Sequence, residues 1–174
     1  MIEINGSTCQ IDNMLLTKKA LYVIEEKDYS GWIYGTVYQE YWRQTFAHYR
    51  SRKSGDTVTR IKFYNPIKQN HNHIRFLKEK FFYLENIPIK NIVVFGNDAT
   101  LKNILVNTSG VYVMKINSLF TFIKNTELNI TKEFKPEFLD MTINDFESAN
   151  VIDSNIRLKH IERIREKYRS GNDN

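Results

Sequence analysis

Two short polar segments carry the residue types from which phosphate chemistry is built. Asp12 stands in Gln10-Ile11-Asp12, and Glu25-Glu26-Lys27 follows. Gln10–Leu16 and Ala20–Lys27 read as two strands joined by a tight turn over 17–20. A turn centred on Lys18-Lys19 sets Asp12 opposite Glu25 and Gln10 opposite Lys27. Cross-strand partners share a face, as do residues two apart on one strand. Gln10, Asp12, Glu25 and Lys27 therefore cluster at one end of a face, with Met14, Leu16, Leu21 and Val23 at the other. Directly opposed carboxylates repel and need compensation. A hard divalent cation supplies it, since carboxylate oxygens are its preferred ligands. Such an ion also polarises a phosphoryl oxygen and lowers the pKa of a bound water. Lys27 is placed to orient that water or to stabilise developing negative charge. Two plainer readings stay open: Lys27 simply neutralises the pair, or a one-residue slip separates the carboxylates.

The elements around this hairpin must hold it. Ile2–Ile4 reads as a short strand. Trp32–Tyr38 and Tyr41–Phe46 form an aromatic second hairpin, and Val58–Tyr64 a further strand after a polar loop at 51–57. Asn65-Pro66 opens a helix whose apolar spacing runs through Ile67, Phe76, Leu77, Phe81 and Leu84. Ile92–Phe95 reads as a buried strand. Ile104–Val106 and Val111–Met114 are strands either side of a turn at 107–110. Asn117–Lys124 reads as helix, Lys135–Phe138 as a turn or short helix start, and Val151–Arg169 as a basic helix with an isoleucine stripe.

Positive charge is concentrated. Residues 42–62 hold Arg43, Arg50, Arg52, Lys53, Arg60 and Lys62 against Asp56 alone, a local excess equal to the whole formal net charge of +5. Trp42, Phe46, Tyr49, Phe63 and Tyr64 are interleaved with them. Clustered cations attract phosphate backbones, and rings beside them can stack on exposed bases. The alternative is a solvated hairpin whose aromatics face the core.

The 174 residues suit one domain with a sizeable core. Hydrophobic residues make up 41% and aromatics 13%, which excludes a disordered chain. One cysteine, Cys9, excludes an intramolecular disulfide, and no histidine stands near it in sequence to make it a nucleophile. No apolar run reaches the roughly 18 residues of a membrane span, and no secretory signal is present, so the chain reads as cytoplasmic. No phosphate-binding loop of the nucleotide-hydrolase type occurs. His71 and His73, two apart on a helix, point in different directions and do not form a zinc pair.

The ordered segments Gln10-Ile11-Asp12, Ile24-Glu25-Glu26-Lys27, Tyr29-Ser30-Gly31-Trp32, and Asn65-Pro66-Ile67-Lys68-Gln69 with His73 beyond it resemble the nuclease-related domain group of the PD-(D/E)XK nuclease superfamily. Val93-Val94-Phe95 resembles the strand that follows in that group. The resemblance covers about residues 9–114, with a helical part over about 115–169. It implies a restriction-endonuclease-like α/β fold: a mixed central sheet flanked by helices, with the aromatic hairpin and the basic C-terminal helix attached. It implies a metal-dependent nuclease that cuts nucleic acid, with DNA favoured. On that reading Asp12 and Glu25 bind Mg²⁺ or Mn²⁺, the backbone carbonyl of Glu26 adds a ligand, Lys27 positions the attacking water, and Gln10 helps set the site. Gln69 reaches the site from the helix or is merely a polar first-turn residue. Arg43, Arg50, Arg52, Lys53, Arg60 and Lys62 hold the backbone of the nucleic acid.

Two departures stand out. The group usually has a helix bearing a Gly-Glu pair before the first motif strand. Here Glu3 is the sole acid upstream of Asp12, so the chain reads as short at its N-terminus. Asn13 stands where the group often has His. A homodimer or a partner chain that completes the N-terminus is one expectation. A binding or regulatory module of the same fold that does not cut is the alternative function.

Overall fold

The structure, a computed structural model, describes residues 1–4, 7–48, 57–150, 153–155, 158–159 and 161–162. In order the strands and helices are β1 (Ile2–Ile4), β2 (Ser7–Cys9), β3 (Asn13–Leu16), β4 (Leu21–Lys27), β5 (Gly31–Thr36), β6 (Tyr41–His48), β7 (Thr57–Tyr64), α1 (Pro66–Lys80), β8 (Ile89–Phe95), β9 (Ala99–Leu105), β10 (Val111–Lys115), α2 (Leu119–Asn129) and α3 (Pro136–Ala149). The chain divides into two compact units, Ile11–Phe134 and the end segments Met1–Gln10 with Lys135–Asn174.

The first sheet of the larger unit has the order β10-β8-β4-β3. β8 runs parallel to both β4 and β10, and β3 closes the edge antiparallel to β4. β8 is apolar over most of its length and β4 over its first four residues, because helices cover both sheet faces. On one face Tyr22, Ile24, Ile92 and Val94 pack with Leu119, Phe122 and Ile123 of α2. On the other, Ile67 of α1 packs with Val93 and Phe95. Side chains alternate, so Val23, Glu25 and Lys27 of β4 share the α1 face.

Two buried amides fasten α1 to this sheet. Asn70 donates to Val23 O, Ile92 O and Asn91 Oδ1 at 2.8, 3.2 and 2.9 Å. Asn91 Nδ2 in turn donates to Ile67 O at 3.1 Å. The start of α1 is as the sequence predicts: Asn65 Oδ1 accepts from Ile67 N, and Pro66 occupies the first turn. The Asn65 amide also donates to the carbonyls of Thr36, Val37 and Gln39. One residue thus both starts the helix and secures the preceding turn.

The second sheet has the order β7-β6-β5-β9. The expected mixed sheet is present, but divided in two. The parallel pair β4–β8 is followed directly by the parallel pair β5–β9, across breaks at 28–30 and 96–98. Gly31, at φ 75°, takes the left-handed conformation that this break requires. The inner face of the second sheet places Ile33 and Trp42 against Ile67, Val93, Phe95 and Ala99. Trp42 is fully buried and its ring lies parallel to Phe95, with centroids 6.2 Å apart. Gly35 lies so close to the indole that a Cβ there would meet ring carbons at 2.3 Å.

In the smaller unit β1 pairs antiparallel with β2, and Ile2 also bridges to Asn150. α3 extends well past the expected short start at 135–138, with Pro136 in its first turn. Of the basic helix expected over 151–169, the described residues 154, 155, 158, 159, 161 and 162 are helical. Arg157, Arg163, Arg165, Lys167 and Arg169 lie outside the described residues. Among the described residues no helix is long and apolar enough to cross a membrane.

Candidate active site

The β3–β4 register is the one the turn predicts, with Asn13 opposite Ile24 and Leu16 opposite Leu21. The ladder then stops one residue short of the expected Asp12–Glu25 pair. The reason is local. Continued pairing would give the Glu26 amide to the carbonyl of Ile11, but Asp12 Oδ2 accepts that amide instead, at 3.0 Å. Asp12 is therefore bound to the site strand by its side chain. This corrects the expectation for Gln10, which is exposed, lies in no strand and does not pair with Lys27.

Glu25 is 1% exposed. Lys27, two residues along the same face, donates to its Oε1 at 2.5 Å and to Gln69 Oε1 at 3.0 Å. Gln69 thus joins the site, and its partner is Lys27. The proximity of Lys27 to Glu25 also fits the plainer reading that the lysine neutralises buried charge. Burial pushes the Glu25 carboxyl above its usual range, Lys27 pulls it down, and the charge of Asp12 pushes it up again.

His73, which stands with the helix motif in the sequence but received no role there, also meets the site strand. Its Nδ1 lies 3.6 Å from Glu25 Oε2. Burial lowers its pKa to about 4, although Asp12 opposes the shift, so the ring is neutral at pH 7 and the contact is no ion pair. Glu25 Oε2 and His73 Nδ1 are both buried and neither has a hydrogen-bond partner. His71, two residues before His73, is exposed. The spacing of His73 from Gln69, one helical turn, puts the two on the same face of α1.

In the tautomer that carries its ring proton on Nε2, the two facing atoms are both lone-pair donors and suit a cation. Carboxylate oxygens are the ligands that Mg²⁺ and Mn²⁺ prefer, whereas an imidazole nitrogen suits zinc-like metals better. The residues present therefore fit an Mg²⁺- or Mn²⁺-type ion through the carboxylates of Glu25 and Asp12, with the His73 nitrogen beside them as a further donor. Among the described residues no three His, Cys, Asp or Glu side chains form a ready cage. Such ions keep several waters and bind through only one or two carboxylates. The Glu26 side chain is exposed and accepts from Asn13 at 3.5 Å.

Of the expected backbone-binding cations, Arg43, Arg60 and Lys62 are exposed on β6 and β7. Arg43 and Lys62 are direct cross-strand partners. Arg50, Arg52 and Lys53 lie outside the described residues.

Residues 2–96, more than half of the chain, match the nuclease-related domain, and the chain belongs to that family. It is also similar to an uncharacterized protein of Bacillus anthracis, at 26% identity over 164 residues, covering 94% of this chain and 70% of that protein. No solved structure matches.

Proposed function

We propose that this chain is a metal-dependent nuclease that hydrolyses phosphodiester bonds, acting on DNA in the cytoplasm. The observation that carries the reading is the group of buried Glu25 with half-buried Lys27, Gln69 and His73, and Asp12 tied to the same strand. Glu25, His73 and Asp12 would hold Mg²⁺ or Mn²⁺, which when bound polarises a phosphoryl oxygen and acidifies a water. Lys27 is held by two acceptors, so its ammonium is oriented before substrate arrives. That fixed charge stabilises the negative charge developing on the phosphate as water attacks and the P–O bond breaks. Gln69 keeps Lys27 in place from the helix. The neutral ring of His73 offers a lone pair to a cation at neutral pH and needs no deprotonation first.

The second reading, a nucleic-acid-binding module that does not cut, is favoured by the protein donors already engaged on Asp12 Oδ2 and Glu25 Oε1. Incubation of supercoiled plasmid with Mg²⁺ or Mn²⁺, beside Lys27→Ala, separates the two. Cutting that is lost in the variant supports the nuclease. Binding without cutting supports the module, and equal cutting by both proteins refutes the role given to Lys27.

A further inference from the structure

The outer face of the second sheet carries a set of side chains that the candidate active site does not use. Alternation along each strand directs Trp32 and Tyr34 of β5, Tyr41, Arg43 and Thr45 of β6, and Arg60, Lys62 and Tyr64 of β7 away from the core. The register sets them in rows across the strands. Trp32 lies opposite Thr45, and Thr45 opposite Arg60. Tyr34 lies opposite Arg43, and Arg43 opposite Lys62. Tyr41 lies opposite Tyr64, their rings edge to face at 6.1 Å. Each row thus joins a ring to a cation, or a ring to a ring.

The exposure and charge of this face are unusual for an open sheet. Trp32 is 39% and Tyr41 53% exposed, and Arg43, Arg60, Lys62 and Lys102 are all exposed. The Arg43 guanidinium lies 5.0 Å from the Tyr34 ring centre, and the Lys102 ammonium 5.4 Å from that of Trp32. None of β5, β6, β7 or β9 contains an Asp or Glu. A solvated sheet face ordinarily intersperses both signs of charge. Here four cations stand among three tyrosines and a tryptophan with no carboxylate between them.

Charge complementarity selects a polyanion, and the exposed rings select one with accessible flat faces. Bases in a duplex are stacked on one another, and a protein meets only their edges and the phosphates. Bases in a single strand are free to stack on aromatic side chains, while neighbouring cations meet the backbone. We propose that the outer face of the β7-β6-β5-β9 sheet is a binding platform for single-stranded nucleic acid, with Trp32 as the principal stacking residue. A base that takes the Trp32 ring releases Lys102 from that ring to meet the phosphate arriving with the base. Arg43, Lys62 and Arg60 continue the backbone contacts across β6 and β7. The platform shares with the nuclease reading the premise that the ligand is nucleic acid, but its binding is measurable with no metal and no cleavage.

The chain carries its own reporter. Of its two tryptophans, Trp42 is 1% exposed and Trp32 lies on the platform. Titration of the whole protein in EDTA with an oligothymidylate, an oligouridylate and a mixed-sequence duplex of equal length is followed by tryptophan emission. Quenching by the single strands, with weaker and unquenched duplex binding, is the expected result. Trp32→Ala should abolish the quench and weaken single-strand binding at least about tenfold, leaving duplex binding unchanged. Trp32→Phe should recover part of the affinity. Retention of the buried Trp42 emission in Trp32→Ala reports folding. If that variant fails the check, Lys102→Ala and Arg43→Ala replace it, each weakening binding with the quench retained. Tighter duplex binding, equal binding by Trp32→Ala, or equal displacement by polyglutamate would overturn the platform. Plasmid cleavage with no single-strand preference would sink the platform alone, and quenching by oligonucleotide with no cleavage would sink the nuclease reading alone.

Discussion

The two four-stranded sheets of the larger unit handle charge in opposite ways. The β10-β8-β4-β3 sheet is covered by a helix on each face, and its charged pair, buried Glu25 and half-buried Lys27, lies under α1. The β7-β6-β5-β9 sheet buries one face around Trp42 and leaves the other to solvent with four exposed cations. A charge taken out of water must be paired, and its protonation is altered by its surroundings. A charge left in water keeps its ordinary behaviour and acts at longer range on a polyanion. The first environment suits chemistry on a phosphate, and the second suits holding the chain that carries it.

That contrast orders the predictions. The largest effect should follow from breaking the buried pair. Lys27→Ala is expected to lower plasmid cleavage by at least about a hundredfold in a time course. It also leaves Glu25 without its partner, at a cost of about 3 kcal/mol at pH 8 in denaturant melts. The cost should shrink as pH falls, because the raised carboxyl of Glu25 takes up its proton earlier than an ordinary carboxylate. A variant as stable as the wild type at pH 8 would show that the pair is not buried in solution.

The second effect concerns acid. His73 has its pKa lowered to about 4, so the stability from keeping it neutral is present above its ordinary value of 6.5. That stability is lost as pH falls from 6.5 through 4, by up to about 3 kcal/mol. Glu25 acts in the opposite sense, stabilising the fold at low pH and losing that contribution as pH rises through its raised value. Glu25→Gln should therefore steepen the acid loss, and adding His73→Gln should flatten it. Equal slopes in equilibrium melts across this range would refute the burial of His73.

A third, purely structural effect provides the control. Asn70→Ala strips donors from Val23 O, Ile92 O and Asn91 Oδ1, and should cost about 2 kcal/mol at any pH from 5 to 8. The smallest effect lies on the open sheet. Arg43→Ala should leave the melting temperature within about a degree. It should also reduce the salt slope of nucleic-acid binding by about 1, the share of one phosphate contact. A slope unchanged in Arg43→Ala, Arg60→Ala and Lys62→Ala alike would take nucleic acid off that face.

The local elements were written in the order of the residues. The turn at Lys18-Lys19 set the β3–β4 register, and Asn65-Pro66 set the start of α1, because both depend on neighbours a few residues apart. The common face of Glu25 and Lys27 followed from strand alternation alone. Asp12 was identified by type and place. That its carboxylate would end the ladder by taking the Glu26 amide was not legible, since hydrogen-bond competition depends on geometry. α3 was read only at its start, although Phe138, Leu139, Thr142, Phe146 and Ala149 keep helical spacing along its less exposed face.

The tertiary structure alone decided the rest. Gln69 and His73 meet Lys27 and Glu25 only because the buried Asn70–Asn91 pair seats α1 over β4 and β8. The joining of Trp32, Tyr34 and Lys102 to the basic strands required the parallel β5–β9 pairing, whose partners are separated by some seventy residues of chain. Burial, which shifts the protonation of Glu25 and His73, belongs to the packed whole, because it arises from residues brought together from every part of the unit. Sequence determined which chemical groups were available and how neighbours along the chain would pair. Packing determined which of them would be left dry, paired or exposed.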